Sequence, residues 1–378
     1  MRRSTAFVTL LLLAAFVPRQ ADAGPALVFE LSNSKVLFSE DADDLWYPAS
    51  LTKIMTAYIV FGEIKAGRLN LKSKISCSAA AHTQPPSKIG LPVGGELTLD
   101  KALQALIVKS ANDVAVMLAE AVSGSTEAFV DKMNATAKRL GMERTRFVNP
   151  NGLPAPDQVT TARDLGKLAR AIINEYPEYA HYWTKPEMHL GKIRLASHNG
   201  LLRSFEGADG LKTGFTCDSG FNIVATASRE GRRVVAVVLG DVTSAERNVR
   251  AASLLEHGFQ QQGWKQLFNS TTLDNMPVSA SVPVRSVRKD VTSWGCNPPK
   301  KRKAKPATAA KKSDGKKAVK KEGTAANPST AKRAPEGSGG EPRPAPITVE
   351  VETGSGDASS SVQLRGTMPP PAAAFQQH

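Results

Sequence analysis

The chain has 378 residues and a formal net charge of +14, and Lys300 to Lys321 alone hold eleven basic residues against one acid. That leaves only about +4 on the rest, which excludes a basic nucleic-acid-binding domain surface as the source of the charge. Three cysteines are too few for a disulfide framework, and six scattered histidines form no Cys/His cluster at ligand spacing, so neither a metal nor a cofactor is expected.

Arg2 and Arg3 precede a run from Ala6 to Val17 that is apolar except at Thr9, followed by Ala21-Asp22-Ala23. A basic start, a short apolar core and small residues at a cleavage site predict a signal peptide over residues 1–23 and a mature chain from Gly24. The apolar run is well short of the ~20 residues a membrane-spanning helix needs. The predicted destination is outside the cytoplasm, in the periplasm or cell envelope. At most one disulfide can form among Cys77, Cys217 and Cys296, and the sequence leaves the pairing open.

Residues 26–40 read as two short strands, ALVFEL and KVLFSE, turning at Asn33-Ser34. Pro48 restricts the backbone ahead of a helical pattern from Ser50 to Lys65, closed by Gly67. Residues 99–108 and 113–122 are helical stretches interrupted at Ser110-Ala111-Asn112, and residues 126–140 and 161–174 are amphipathic helices. Residues 221–228 and 233–239 form a hairpin around Arg229-Glu230-Gly231, and residues 246–260 a closing helix. Strands, a helical block, strands and a last helix predict a mixed α/β (α+β) fold whose antiparallel sheet is completed by both ends of the domain.

The predicted organisation is a signal peptide over 1–23, a catalytic domain over 24–268, a short extension over 269–296 and a tail over 297–378. The extension carries Val278, Val282, Val284 and Val287, consistent with one edge strand. The Lys/Ala/Pro/Ser/Gly composition of the tail predicts disorder. Its lysines suit attachment to an anionic membrane or wall polymer, or an inert spacer. Behind a signal peptide, nucleic acid is not an expected partner.

Acyl transfer needs a nucleophile, a base and oxyanion donors. No histidine pattern announces a Ser-His-Asp triad, so a lysine base is considered. Ser-x-x-Lys on the first turn of a helix places hydroxyl and amine on one face, beside the positive end of the helix dipole. The motif occurs at Ser32, Ser50, Ser286, Ser313 and Ser329, and only Ser50-Leu51-Thr52-Lys53 opens a strong helical pattern. Ser-x-Asn occurs at Ser110-Ala111-Asn112, which interrupts a helical region, and at Ser197-His198-Asn199, which reads as a turn with a helix cap. Lys212-Thr213-Gly214 occurs once, with a glycine that lets a substrate backbone approach. Trp46 and Tyr47 read as packing anchors, and Cys217 as a small space-filling residue beside a strand.

Taken in order, Ser50-x-x-Lys53, Ser110-x-Asn112 and Lys212-Thr213-Gly214 resemble the signature of penicillin-binding proteins and serine β-lactamases. The surroundings, Tyr47-Pro48-Ala49-Ser50-Leu51-Thr52-Lys53-Ile54-Met55-Thr56, Asn149-Pro150-Asn151-Gly152-Leu153 and Lys212-Thr213-Gly214-Phe215-Thr216, resemble the D-alanyl-D-alanine carboxypeptidase branch. The resemblance spans residues 25–260. It implies a serine β-lactamase/penicillin-binding-protein-like fold acting on peptidoglycan stem peptides that end in D-Ala-D-Ala, and binding of β-lactam antibiotics.

Residue by residue, the resemblance implies Ser50 as nucleophile, Lys53 as base and Ser110 as proton relay. Asn112, Lys212, Thr213 and Gly214 would position the substrate, and the backbone N–H groups of Ser50 and Phe215 would hold the oxyanion. Arg247 matches a family position that binds the terminal carboxylate; by pattern alone it is an exposed residue on the closing helix. Phe215 stands where several relatives have histidine, and the β-sandwich domain of the best-known relatives looks absent or replaced. The glutamate-containing loop with which class A β-lactamases drive deacylation is missing between Asn112 and Lys212. The rival readings are a DD-endopeptidase using the same residues on cross-links and a non-catalytic wall-binding scaffold.

Overall fold

The computed structural model describes residues 24–261, 270–280, 283–291 and 296. The predicted signal peptide and basic tail lie outside the described residues.

In chain order, β1 (Ala26–Glu30) and β2 (Val36–Glu40) form the first hairpin, and a 3-10 turn (Ala49–Leu51) leads into α1 (Thr52–Lys65). A helical subdomain follows: β3 (Lys74–Ser76), α2 (Ala79–His82), β4 (Glu96–Thr98), α3 (Leu99–Gln104), a π turn (Ala105–Lys109), α4 (Asn112–Ser123), α5 (Thr126–Arg139) and α6 (Ala162–Glu175). The hairpin β5 (Glu187–Leu190) and β6 (Ile193–Ala196) and the short α7 (Leu201–Ser204) return the chain to the sheet. There β7 (Ala208–Thr216), β8 (Gly220–Arg229), β9 (Arg232–Asp241) and α8 (Ser244–Gln260) complete the domain.

The main sheet is antiparallel with order β2-β1-β9-β8-β7, so the two ends of the domain meet at its centre through β1 and β9. Alternation along β9 explains the layering. Val234, Ala236 and Val238 face a core shared with Ala251, Leu255 and Phe259 of α8. Val235, Val237 and Leu239 face the larger core beneath α1, α4 and α6. A strand covered on both faces needs an unbroken apolar run, which RRVVAVVLGD supplies. Each such side chain contributes about 1.5–3 kcal/mol by leaving water. Sheet order puts β7 at an edge, where a strand can pair with a peptide.

The sequence places the main helices and the β8–β9 hairpin within a few residues of where they fold. It gives no warning of β3–β4, β5–β6 or β7, which are short or glycine-rich. The expected edge strand in the extension does not form among the described residues. Lys35 and Thr272 make a single bridge, and Val278 is 65% exposed. Side chains hold this segment instead. Arg170 pairs with Asp274, Arg163 donates to the carbonyls of Met276 and Pro277, and Ser279 N donates to Asp43. Cys217 also corrects its expectation as filler: it is bonded to Cys296, while Cys77 is a buried free thiol.

Candidate active site

Ser50 lies in the 3-10 turn that starts α1, with Pro48 ahead of it setting the entry angle. One turn later Lys53 is fully buried. Its Nζ lies 3.0 Å from Ser50 Oγ and donates to Asn112 Oδ1 at 2.7 Å and to the Asn151 carbonyl at 2.5 Å. A neutral amine has two N–H groups and one lone pair. The two carbonyl acceptors take both N–H groups, which leaves the lone pair for the Ser50 hydroxyl proton. Burial, and then the charge of Lys212, hold the Lys53 amine well below the usual lysine range, with Asp113 opposing.

Ser110 takes a left-handed conformation (φ 60°) where the π turn meets α4. That break re-aims the chain between two helices, so Ser110 and Asn112 both face inward and are buried. Asn112 Nδ2 donates to the Pro85 carbonyl and its backbone N to the Ser87 carbonyl, while the amides of Ile89 and Gly90 donate to Asp113. The 85–90 loop is thereby fastened to the mouth of the site.

The Asn149–Leu153 loop supplies the floor. Gly152 N donates to Asn149 Oδ1, Thr56 Oγ1 donates to the Pro150 carbonyl, and Asn151 accepts from Lys53 through its main chain. Gly152 has φ +84°, and a Cβ there would strike the Ala49 carbonyl beside the nucleophile. Tyr47, Pro48, Gly152, Leu153, Pro156 and Thr216 line a pocket at the far end of β7.

β7 brings Lys212, Thr213 and Gly214 against the turn carrying Ser50. A Cβ on Gly214 would stand 2.9 Å from the Pro48 carbonyl and 3.0 Å from Ser50 N, so only glycine permits this approach. Lys212 is buried and donates to the Thr213 carbonyl at 3.0 Å. Burial and the neighbouring Arg247 guanidinium depress its amine to about 7. Arg247 is 4% exposed rather than displayed on the surface of α8, which corrects the pattern-based reading. Its Nη2 donates to Asn248 Oδ1 at 2.8 Å, and burial lowers the group to about 10, against the pull of Asp241. Neither Lys212 nor Arg247 forms a close ion pair among the described residues, Asp241 acting on Arg247 only through its charge; two such buried cations are costly, and a bound anion would offset that cost.

Ser197-His198-Asn199 is the expected turn: Leu201 N donates to Asn199 Oδ1, and Asn199 Nδ2 reaches the Gly210 carbonyl of β7. It also delivers a residue that sequence reasoning passed over. The His198 carbonyl accepts from Arg247, and burial together with the charges of Lys212, Lys109, Arg247 and Lys53 lowers its imidazole to about 4. Only the Ser-x-Asn spacing around it could have drawn notice. The other described Ser-x-x-Lys pairs, Ser32/Lys35 and Ser286/Lys289, lie in turns rather than at the start of a helix, and Ser313 and Ser329 are outside the described residues.

A buried amine on a serine, a hydroxyl and amide on an opposing loop, and paired cations beside an edge strand can acylate that serine from a peptide ending in a carboxylate. Comparison with known proteins points the same way. The chain is 35% identical over 269 residues to the D-alanyl-D-alanine carboxypeptidase DacC of Escherichia coli, covering 68% of this chain and 67% of that one. It is 33% identical over 245 residues to DacF of Bacillus subtilis, covering 64% and 63%. The chain thus spans about two thirds or slightly less of the length of the curated relatives it matches. Penicillin binding protein 5 from Haemophilus influenzae superposes with a TM-score of 0.62 at 32% identity, covering 64% of this chain and 72% of that one. Penicillin-binding protein D2 from Listeria monocytogenes, solved with ampicillin bound, gives 0.56 at 34%, covering 63% and 97%. The fold is that of the penicillin-binding proteins, and no helix among the described residues is long and apolar enough to cross a membrane. The family pattern of the D-alanyl-D-alanine carboxypeptidases matches residues 14–243, and the chain belongs to that family.

Proposed function

We propose that the protein is an exported serine-type D-Ala-D-Ala carboxypeptidase that trims peptidoglycan stem peptides and is acylated by β-lactams, with its catalysis carried by residues 24–268. The observation that carries the reading is the buried Lys53 amine, whose two N–H groups are spent on Asn112 and Asn151 and whose lone pair faces Ser50.

Ser50 Oγ attacks the penultimate D-alanine carbonyl while Lys53 Nζ takes the hydroxyl proton. The backbone N–H groups of Ser50 and Phe215 stabilise the oxyanion. The tetrahedral intermediate collapses, and the leaving D-alanine amine takes a proton relayed from Lys53 through Ser110. Water then attacks the acyl-enzyme along the reverse route and frees Ser50. Asn112, Thr213 and Gly214 align the peptide beside edge strand β7, and Lys212 with Arg247 receives the terminal carboxylate. No step calls for a metal or cofactor.

The sequence supports two further assignments. Residues 1–23 direct export to the periplasm or cell envelope. The lysines of residues 300–321 attach the enzyme to anionic headgroups or wall polymers, each gaining about 1 kcal/mol near such a surface. Truncation after Trp294 should weaken sedimentation with anionic vesicles, more at low salt than at high.

The central test follows adduct formation with a fluorescent penicillin and D-alanine release from diacyl-Lys-D-Ala-D-Ala, with Ser50→Ala as control. Both activities, lost together in the variant, are expected. Adduct without release would move the assignment to an endopeptidase, and no adduct would leave a scaffold.

A further inference from the structure

Beyond α8 the chain comes back to the catalytic edge of the sheet, where the turn between β7 and β8 (Cys217 to Ser219) is gripped from outside. Val287 N donates to the Asp218 carbonyl at 3.1 Å, and Ser286 Oγ to Asp218 Oδ1 at 2.7 Å. Arg288 forks onto the same carboxylate at 3.0 and 2.7 Å. Val287, Val291 and Cys296 form an apolar cluster with Phe221, Phe215 and Cys217, and the Cys217–Cys296 bond closes it.

The inner side of that turn is tied to the nucleophile's own segment. Trp46, four residues before Ser50, donates from Nε1 to the Ser219 carbonyl at 2.9 Å, and Arg285 stacks over the same indole. Asn222 Nδ2, in the first turn-proximal residues of β8, donates to the carbonyls of Tyr47 and Pro48 at 3.0 and 3.4 Å. Phe215 stacks on Phe221 with ring centroids 4.2 Å apart, so the side chain of the second oxyanion residue rests on the cluster that the strap covers. A histidine at position 215 would bring a polar ring into that apolar contact.

We propose that residues 285–291, fastened through Cys217–Cys296, are a positioning strap that fixes Phe215 on β7 relative to Ser50. The strap is a second support for the oxyanion side of the site, made from a segment past the end of the family match. It acts through Phe215 and the β7–β8 turn without touching the substrate. Thiol–disulfide exchange with a disulfide-bearing oxidant, which leaves as its dithiol with the two electrons and two protons of Cys217 and Cys296, then completes the site, and such oxidants act outside the cytoplasm. The proposal rests on the carboxypeptidase reading.

The test uses the full mature chain, oxidised or treated with dithiothreitol, alongside Cys217→Ser/Cys296→Ser and Cys77→Ala. Active sites are first titrated with fluorescent penicillin, and kcat and KM for D-alanine release are then expressed per titrated site. An oxyanion donor drawn out of line should lower kcat about tenfold, with KM unchanged and one adduct still forming per chain. The double variant should match the reduced wild type and ignore dithiothreitol, and Cys77→Ala should respond to it as wild type does. Three results overturn the proposal: unchanged kcat per site on reduction, a fall in titre that accounts for all lost activity, or a reductant response that vanishes in Cys77→Ala. If the oxidised wild type forms no adduct, the carboxypeptidase reading itself fails. If it forms adduct and reduction changes nothing, only the strap falls.

Discussion

Lys53 Nζ lies 3.0 Å from Ser50 Oγ with both of its remaining near contacts to carbonyl oxygens, a geometry suited to an unprotonated amine. Lys53→Arg keeps length and donors but holds its proton permanently. Acylation by fluorescent penicillin should drop by about 10²–10⁴-fold, the usual contribution of a general base. An arginine variant that acylates at the wild-type rate would move the base elsewhere.

The pH profile follows from the two buried lysines. As pH falls, Lys53 takes up a proton and loses its lone pair, giving an acid limb. As pH rises through about 7, Lys212 in the free enzyme loses the charge that receives the terminal carboxylate, giving an alkaline limb. Bound carboxylate favours the charged form of Lys212, so the alkaline limb of kcat should lie at higher pH than that of kcat/KM. Steady-state D-alanine release across pH measures both, and coincident limbs would remove Lys212 from carboxylate binding.

Much of this site was legible because its chemistry is local. Ser50 and Lys53 sit three apart on one helix, and Ser110 and Asn112 mark a visible break in a helical pattern. The rest depends on contacts between distant segments. By pattern alone Arg247 reads as a surface residue, and only its match to a family position singled it out; α8 laid on the sheet brings its charge to bear on Lys212. β7 was hidden because Gly210 and Gly214 dilute its strand pattern, though Gly214 is what lets it touch the Ser50 turn. Three cysteines could announce one bridge at most, and only the folded chain pairs Cys217 with Cys296. The valines of the extension suggested a strand, yet that segment spends its polar groups on Arg163, Asp43 and Asp218 instead of a ladder.

His198 offers a charge test of the same cluster. Burial first, and then the neighbouring basic groups Lys212, Lys109, Arg247 and Lys53, keep its imidazole neutral. His198→Arg would add a permanent charge among Lys53, Lys109, Lys212 and Arg247. A further like charge disfavours protonation of Lys53, so the acid limb of kcat/KM should move to lower pH. His198→Asn, which adds no charge, should leave that limb in place. An acid limb that stays put in the arginine variant would mean the imidazole position does not communicate with Lys53.

Gly214 sets the spacing between β7 and the nucleophile. In Gly214→Ala the new methyl group would meet the Pro48 carbonyl at 2.9 Å, Ser50 N at 3.0 Å and Leu51 N at 3.1 Å, all of them backbone. Backbone atoms cannot swing aside as a flexible side chain does, so the strand and the Ser50 turn must separate. Overpacking of this kind costs about 1–3 kcal/mol, and the melting temperature should fall accordingly. Separation also pulls the Phe215 N–H away from the Ser50 N–H, so acylation should slow by about 10–100-fold in enzyme that is still folded. Thermal unfolding and acylation per titrated site distinguish the two effects. A variant that loses stability but acylates at full rate would show that the oxyanion donors tolerate a wider gap than this close approach implies.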